Sequence, residues 1–190
     1  MNAVPPQPGS APVTPTHVVA LTGFMGCGKS TIGHALAAQL GWQFADLDSA
    51  IEARTGRTIR EIFATDGETA FRAVEHAALE QVLNECDRST VLALGGGAFV
   101  QAANATLLRQ HGVPTVFLDV PVGELLRRCA AEQPASGQNP RPLATDEASF
   151  RALHAQRLPL YRQAELMVDA SLAPEEVAST IADALSLPGR

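Results

Sequence analysis

From Val18 onward, short apolar runs alternate with segments whose apolar positions recur every three or four residues. The first pattern fits strands buried on both faces, and the second fits helices with one apolar side. VVALTG (Val18–Gly23), Thr90–Leu94 and Pro114–Val120 read as buried strands, and Trp42–Asp46 and Leu166–Val168 complete the set. Helices are predicted over Ser30–Leu40, stopped by Gly41, and over Asp48–Arg54 and Ile59–Ala64, joined through Gly56. A long one is predicted over Glu68–Cys86, with Phe71, Val74, Ala78 and Val82 on one face. Asn104–His111, Val122–Ala131, Glu147–Gln163 (broken or kinked at Pro159) and Pro174–Leu187 follow. Repeated strand–helix units predict an α/β fold: a parallel five-stranded sheet with helices on both faces, a three-layer sandwich. Between the helices predicted over Val122–Ala131 and Glu147–Gln163, Glu132–Asp146 is rich in turn formers and reads as a loop.

The first predicted strand runs straight into Gly23-Phe24-Met25-Gly26-Cys27-Gly28-Lys29-Ser30, which matches G-x-x-x-x-G-K-[ST] and opens the first helix. Such a loop turns successive backbone N–H groups toward phosphate oxygens, aided by the helix N-terminus. Lys29 then reaches the β- and γ-phosphates, Ser30 offers a hydroxyl to Mg²⁺, and Gly26, Cys27, Gly28 and Thr31 complete the ATP contacts. Cys27 is read as a small residue that fits the loop. The fold expected is therefore of the P-loop NTPase type. Composition sharpens one point: among 14 basic side chains, Lys29 is the single lysine. In a chain that otherwise uses arginine, a lone ammonium marks a position where a planar guanidinium will not serve.

Asp46-Leu-Asp48 ends the second predicted strand, and alternation along a strand would put both carboxylates on one face of the crevice above the sheet. One suits magnesium and the other an acceptor hydroxyl; the plain alternative is that Asp48 caps the next helix. Gly95-Gly96-Gly97 ends the strand from Thr90, and three glycines there exceed what a turn requires, which points to backbone approaching a ligand closely. Arg72 has Glu68 four residues before it and Glu75 three after, so a surface ion-pair network is its plain reading, and Arg157 on its own is equally unremarkable. Arg141, fenced by Pro140 and Pro142 in the loop, is placed to move onto a transferring phosphate when a lid closes.

Taken in order, GFMGCGKST, DLDSAIEARTG, IFATDGETAFR, the strand ending in GGG, the RPL of the lid and RLPLY resemble the shikimate kinase family, from Val18 to about Leu185. The resemblance implies ATP-dependent phosphorylation of the 3-hydroxyl of shikimate, with Mg²⁺, in the pathway to chorismate. It implies Asp48 as base or orienting group on the shikimate hydroxyls and Asp46 nearer magnesium. Arg72 and Arg157 would clamp the carboxylate, and Gly95, Gly96 and Gly97 would offer backbone amides. Ile59, Phe63 and Phe71 would line the apolar side, Glu75 would orient Arg72, and Arg141 would be the lid arginine. The family often stacks adenine between an arginine upstream of RPL and a proline after the last strand. Pro174 fits the second role, but Ala131–Asn139 holds no arginine, which leaves Arg127 or Arg128 on the preceding helix. A gluconate-type kinase would not explain the glycine triplet, and a nucleoside monophosphate kinase fits two arginines around DxD less well. A guanine-reading N-K-x-D is impossible with one lysine.

The remaining composition sets boundaries. At 190 residues, 46% hydrophobic and 18% charged, the chain suits one globular domain. A net charge of −6 argues against nucleic-acid binding, and no apolar run reaches the length of a membrane span. Cys27, Cys86 and Cys129 form no paired motif, as expected for a reducing cytoplasm. Residues 1–16 carry five prolines and no Lys or Arg, and read as a flexible tail without targeting features. The expected organisation is that tail, then one kinase domain over 17–190 with a mobile lid at about 132–146, acting as a monomer.

Overall fold

The structure is a computed structural model, and it describes residues 18–131 and 146–188. The expected tail, all of the expected lid except Asp146, and Arg141 lie outside the described residues.

In chain order the elements are β1 (Val18–Thr22), α1 (Lys29–Leu40), β2 (Gln43–Asp46), α2 (Leu47–Thr55), α3 (Ile59–Glu85) and β3 (Thr90–Ala93). They continue with α4 (Ala102–Gln110), β4 (Thr115–Asp119), α5 (Val122–Ala131), α6 (Glu147–Tyr161), β5 (Leu166–Asp169) and α7 (Pro174–Ala184). All strand pairs are parallel, in the order β2-β3-β1-β4-β5. Right-handed crossovers in this order put α1 on one face and the helices of the later connections on the other, with α7 returning to pack on α1. The three central strands are the apolar runs: Val19, Leu21, Val91, Leu92, Val116 and Phe117 are all buried. The edge strands β2 and β5 are only partly covered.

Local chemistry explains most boundaries. Gly41 closes α1 in the left-handed conformation. Thr58 and Glu61 form a reciprocal capping box at the start of α3. Gly67, at φ 80° and ψ 175°, kinks α3 where the sequence predicts two helices. The buried stripe beyond the kink is Phe71, Glu75, Ala78, Leu79 and Leu83, whereas Val74 and Val82 are half-buried.

Two expectations need correction. Of the break or kink expected at Pro159, the break does not occur: α6 runs through it to Tyr161, because a proline in the last turn removes a single hydrogen bond near a helix end. Asp48 is not the cap of α2: Asp46 is, its Oδ1 accepting from the Ser49 N–H at 3.2 Å. Asp48 lies inside the first helical turn, so the two carboxylates are not strand alternates. The helix begins at Leu47, before alternation could apply.

Candidate active site

The C-terminal edge of the sheet gathers the loops that follow β1, β2 and β3. After β1, Gly26 and Gly28 take φ values of 78° and 91°, which a side chain would resist. Gly28 caps α1 without any side-chain hydrogen bond, leaving the first amides of the helix directed at the loop's interior. Lys29 folds over that loop: its Nζ donates to the Gly23 and Phe24 carbonyls at 2.9 and 3.0 Å and lies 3.6 Å from Cys27 Sγ. Cys27 is fully buried, as a small residue fitting the loop should be, while Ser30 and Thr31 at the start of α1 are exposed. Ser30 Oγ lies 3.2 Å from Asp46 Oδ2, so one carboxylate both caps α2 and meets the loop's serine.

The glycine triplet after β3 is where the other predicted residues meet. A Cβ on Gly95 would fall 2.5 Å from Asp48 Oδ1, and one on Gly97 would fall 2.6 Å from Arg72 Nη1. The Gly96 carbonyl accepts from Arg157 Nη1 at 3.2 Å. On its other side, a Cβ on Gly96 would lie 3.9 Å from both Gly23 O and Met25 N of the phosphate loop. A side chain at Gly95 or Gly97 would displace the Asp48 carboxylate or the Arg72 guanidinium, a reason for glycine additional to the ligand approach read from the sequence.

Arg72 rests on a pair of aromatic rings. Phe63 and Phe71 lie with centroids 4.4 Å apart, and the Arg72 guanidinium carbon is 5.2 Å from the Phe71 centroid. Both ion pairs expected of it form, to Glu68 at 3.0 Å and to the buried Glu75 at 2.9 Å. Its Nε is buried with no acceptor among the described residues. Burial pushes the Glu75 carboxyl up; Arg72 pulls it down, Asp48 raises it again and Arg157 lowers it. Burial pulls the Arg72 guanidinium the other way, but the charge and hydrogen bonds of Glu75 and Glu68 outweigh it and leave it raised. Ile59 opens α3 with its amide donating to Glu52 Oε1, a contact outside this cluster.

Arg128 and Arg127 part company. Arg128 donates to the Ala170 carbonyl, pairs with Glu124, and its Nη1 is 4.0 Å from where a Cβ on Gly28 would sit. Among the described residues Arg127 pairs with Glu124, from an exposed position. Pro174 begins α7 a few residues beyond Ala170. Reasoning from sequence missed Tyr161, whose hydroxyl also donates to Gly96; the signal was its place four residues after Arg157 in RLPLY.

A five-stranded parallel sheet with a phosphate loop after its central strand, and an acidic side chain reaching that loop's serine, defines the P-loop NTPase class, to which P-loop kinases belong. A family model described as shikimate kinase matches residues 25–186. The chain is 45% identical over 160 residues to the shikimate kinase of Synechococcus elongatus, covering 82% of this chain and 79% of that one. It is 47% identical over 147 residues to that of Mycobacterium avium, covering 76% and 78%. Among solved structures, shikimate kinase from Acinetobacter baumannii in complex with shikimate superposes with a TM-score of 0.78 at 36% identity, covering 90% of this chain and 94% of that one. The chain belongs to the shikimate kinase family. It is a kinase with ATP as co-substrate. No helix among the described residues is long and apolar enough to cross a membrane.

Proposed function

We propose that this chain transfers the γ-phosphoryl group of ATP to the 3-hydroxyl of shikimate, with Mg²⁺, giving shikimate 3-phosphate on the route to chorismate and the aromatic amino acids. One observation carries the reading: Asp48 and Arg72 occupy the space a side chain at Gly95 and Gly97 would fill, Arg157 donates to the Gly96 carbonyl, and that turn lies against the phosphate loop. A ring with hydroxyls at one end and a carboxylate at the other matches one carboxylate and two guanidinium groups arranged in that way. The buried Nε of Arg72 lacks an acceptor among the described residues, a penalty that a second carboxylate beside Glu75 would relieve. Phe63, Phe71 and Ile59 supply the apolar side.

In this reading Lys29 leaves the Gly23 and Phe24 carbonyls for the phosphates, and the α1 amides take up the remaining oxygens. Asp48 orients the acceptor hydroxyl and accepts its proton. Ser30 and Asp46 offer a hydroxyl and a carboxylate on one side of the loop, a hard oxygen set that fits magnesium. Magnesium, when bound there, would neutralise charge on the phosphates. Arg141 is assigned to the lid, and Arg128 beside Gly28, with Pro174, to the adenine side. A monomer acting on a small molecule in the cytoplasm completes the reading, and Cys27, Cys86 and Cys129 form no disulfide among the described residues.

Measuring ADP release with shikimate, gluconate and nucleoside monophosphates as acceptors tests it. Shikimate is expected to be turned over fastest; equal or faster turnover of gluconate or a nucleotide overturns the assignment.

A further inference from the structure

α6 contributes more to this site than Arg157. Tyr161 follows Arg157 by four residues, so both side chains leave the same helical face. Its ring is fully buried and stacks on Phe117 of β4, with centroids 5.3 Å apart and planes inclined by 16°. Its hydroxyl donates to the Gly96 carbonyl, the same oxygen that accepts from Arg157. The Arg157 charge lies close enough to favour the ionised phenol, so the two side chains meet at one acceptor. Burial pushes the phenol up to about 12, and it therefore stays a donor at neutral pH. Packing against Phe117 would be served by a phenylalanine alone. The oxygen is kept in a site where a polar atom destabilises unless hydrogen-bonded, and its partner is the middle glycine of the acceptor turn.

We propose that Tyr161 is a positioning residue for the acceptor site: its hydroxyl pins the Gly96 carbonyl to α6 and, through the shared contact, sets the direction of the Arg157 guanidinium. This rests on the shikimate reading above. Gly96 lies between α6 and the phosphate loop, so displacing it moves the carboxylate clamp relative to the phosphates. Tyr161 acts through these two groups.

Tyr161→Phe keeps the ring and removes one oxygen. The shikimate KM is expected to rise about five- to tenfold, the loss of one ordinary hydrogen bond, while the ATP KM stays within about twofold. A lowered unfolding midpoint with both KM values unchanged would mean a purely structural hydroxyl and overturn the proposal. Equal rises in both KM values would overturn it too. Tyr161 is the only tyrosine in the chain, so ring-¹³C-tyrosine gives one Cζ signal in the unaltered protein. That signal is expected to shift with saturating shikimate and to stay in place with ADP, a readout that needs no variant to fold. In an enzyme that turns over shikimate, an unmoved signal sinks this inference alone. If the unaltered enzyme phosphorylates another acceptor and ignores shikimate, the functional reading fails and this one falls with it.

Discussion

At Lys29 the ammonium sits 2.9 and 3.0 Å from two carbonyls of its own loop, a compact cradle that holds it where phosphate will arrive. Lys29→Arg keeps the charge but brings a wider planar fork. We expect kcat to fall by more than about tenfold, or ~1.4 kcal/mol, in steady-state assays. The two aspartates divide by position. Asp46 holds Ser49 with one oxygen and Ser30 with the other, so Asp46→Asn preserves the helix cap and loses only charge at the serine. Its activity should fall at low Mg²⁺ and recover partly in excess. Asp48 is not the N-cap of α2, and Asp48→Asn should lower kcat by about 10²–10⁴-fold at saturating shikimate, whatever the magnesium concentration. Full recovery of Asp48→Asn by magnesium would exchange the two roles.

Among the elements, the glycine turns divide by what surrounds them. Gly97 has the Arg72 guanidinium 2.6 Å from where a Cβ would be. Because that obstacle is the far end of a flexible side chain, Gly97→Ala should fold, displace Arg72 and raise the shikimate KM with little change in the ATP KM. Gly56 has open space around it but a φ of 64°. There Gly56→Ala should cost about 1–2 kcal/mol of stability, read by urea unfolding, with both KM values unchanged. The opposite pairing of outcomes would show that the triplet is a plain turn. α3 illustrates how an element serves the site: the Thr58–Glu61 box fixes its start, Gly67 bends it, and the second limb carries Phe71, Arg72 and Glu75 under the acceptor turn.

For the whole molecule, the buried Glu75 ties stability to pH. Its folded carboxyl is raised above the ordinary 4.5, chiefly by burial and against the pull of Arg72. Above 4.5 the folded state therefore holds this proton more tightly than the unfolded one, and its contribution to stability declines as pH rises through the raised value. Glu75→Gln cannot titrate. The difference in unfolding midpoint, unaltered enzyme minus Glu75→Gln, should be largest near pH 4.5 and shrink as pH increases. A difference that grows with pH would mean the ion pair with Arg72 overcomes burial. The same variant should raise the shikimate KM, since Arg72 loses its buried partner.

The strands, most helix ends, the phosphate loop and the family were legible in the chain itself. Each is written in contiguous residues, whose period, glycines and spacing act over a few positions. Arg72, Arg157, Asp48 and the glycine triplet were also visible, but their relation was not. Arg157 and Tyr161 meet Gly96 across 61 and 65 residues, and no local rule encodes such a contact. Only packing of α6 against the turn after β3 gave Tyr161 its partner. Only the early start of α2 made Asp46, and not Asp48, the cap. Burial likewise belongs to the fold. Glu75 stands at helical spacing from Arg72 in any reading of the sequence, yet its carboxyl is raised because the assembled core excludes water around it.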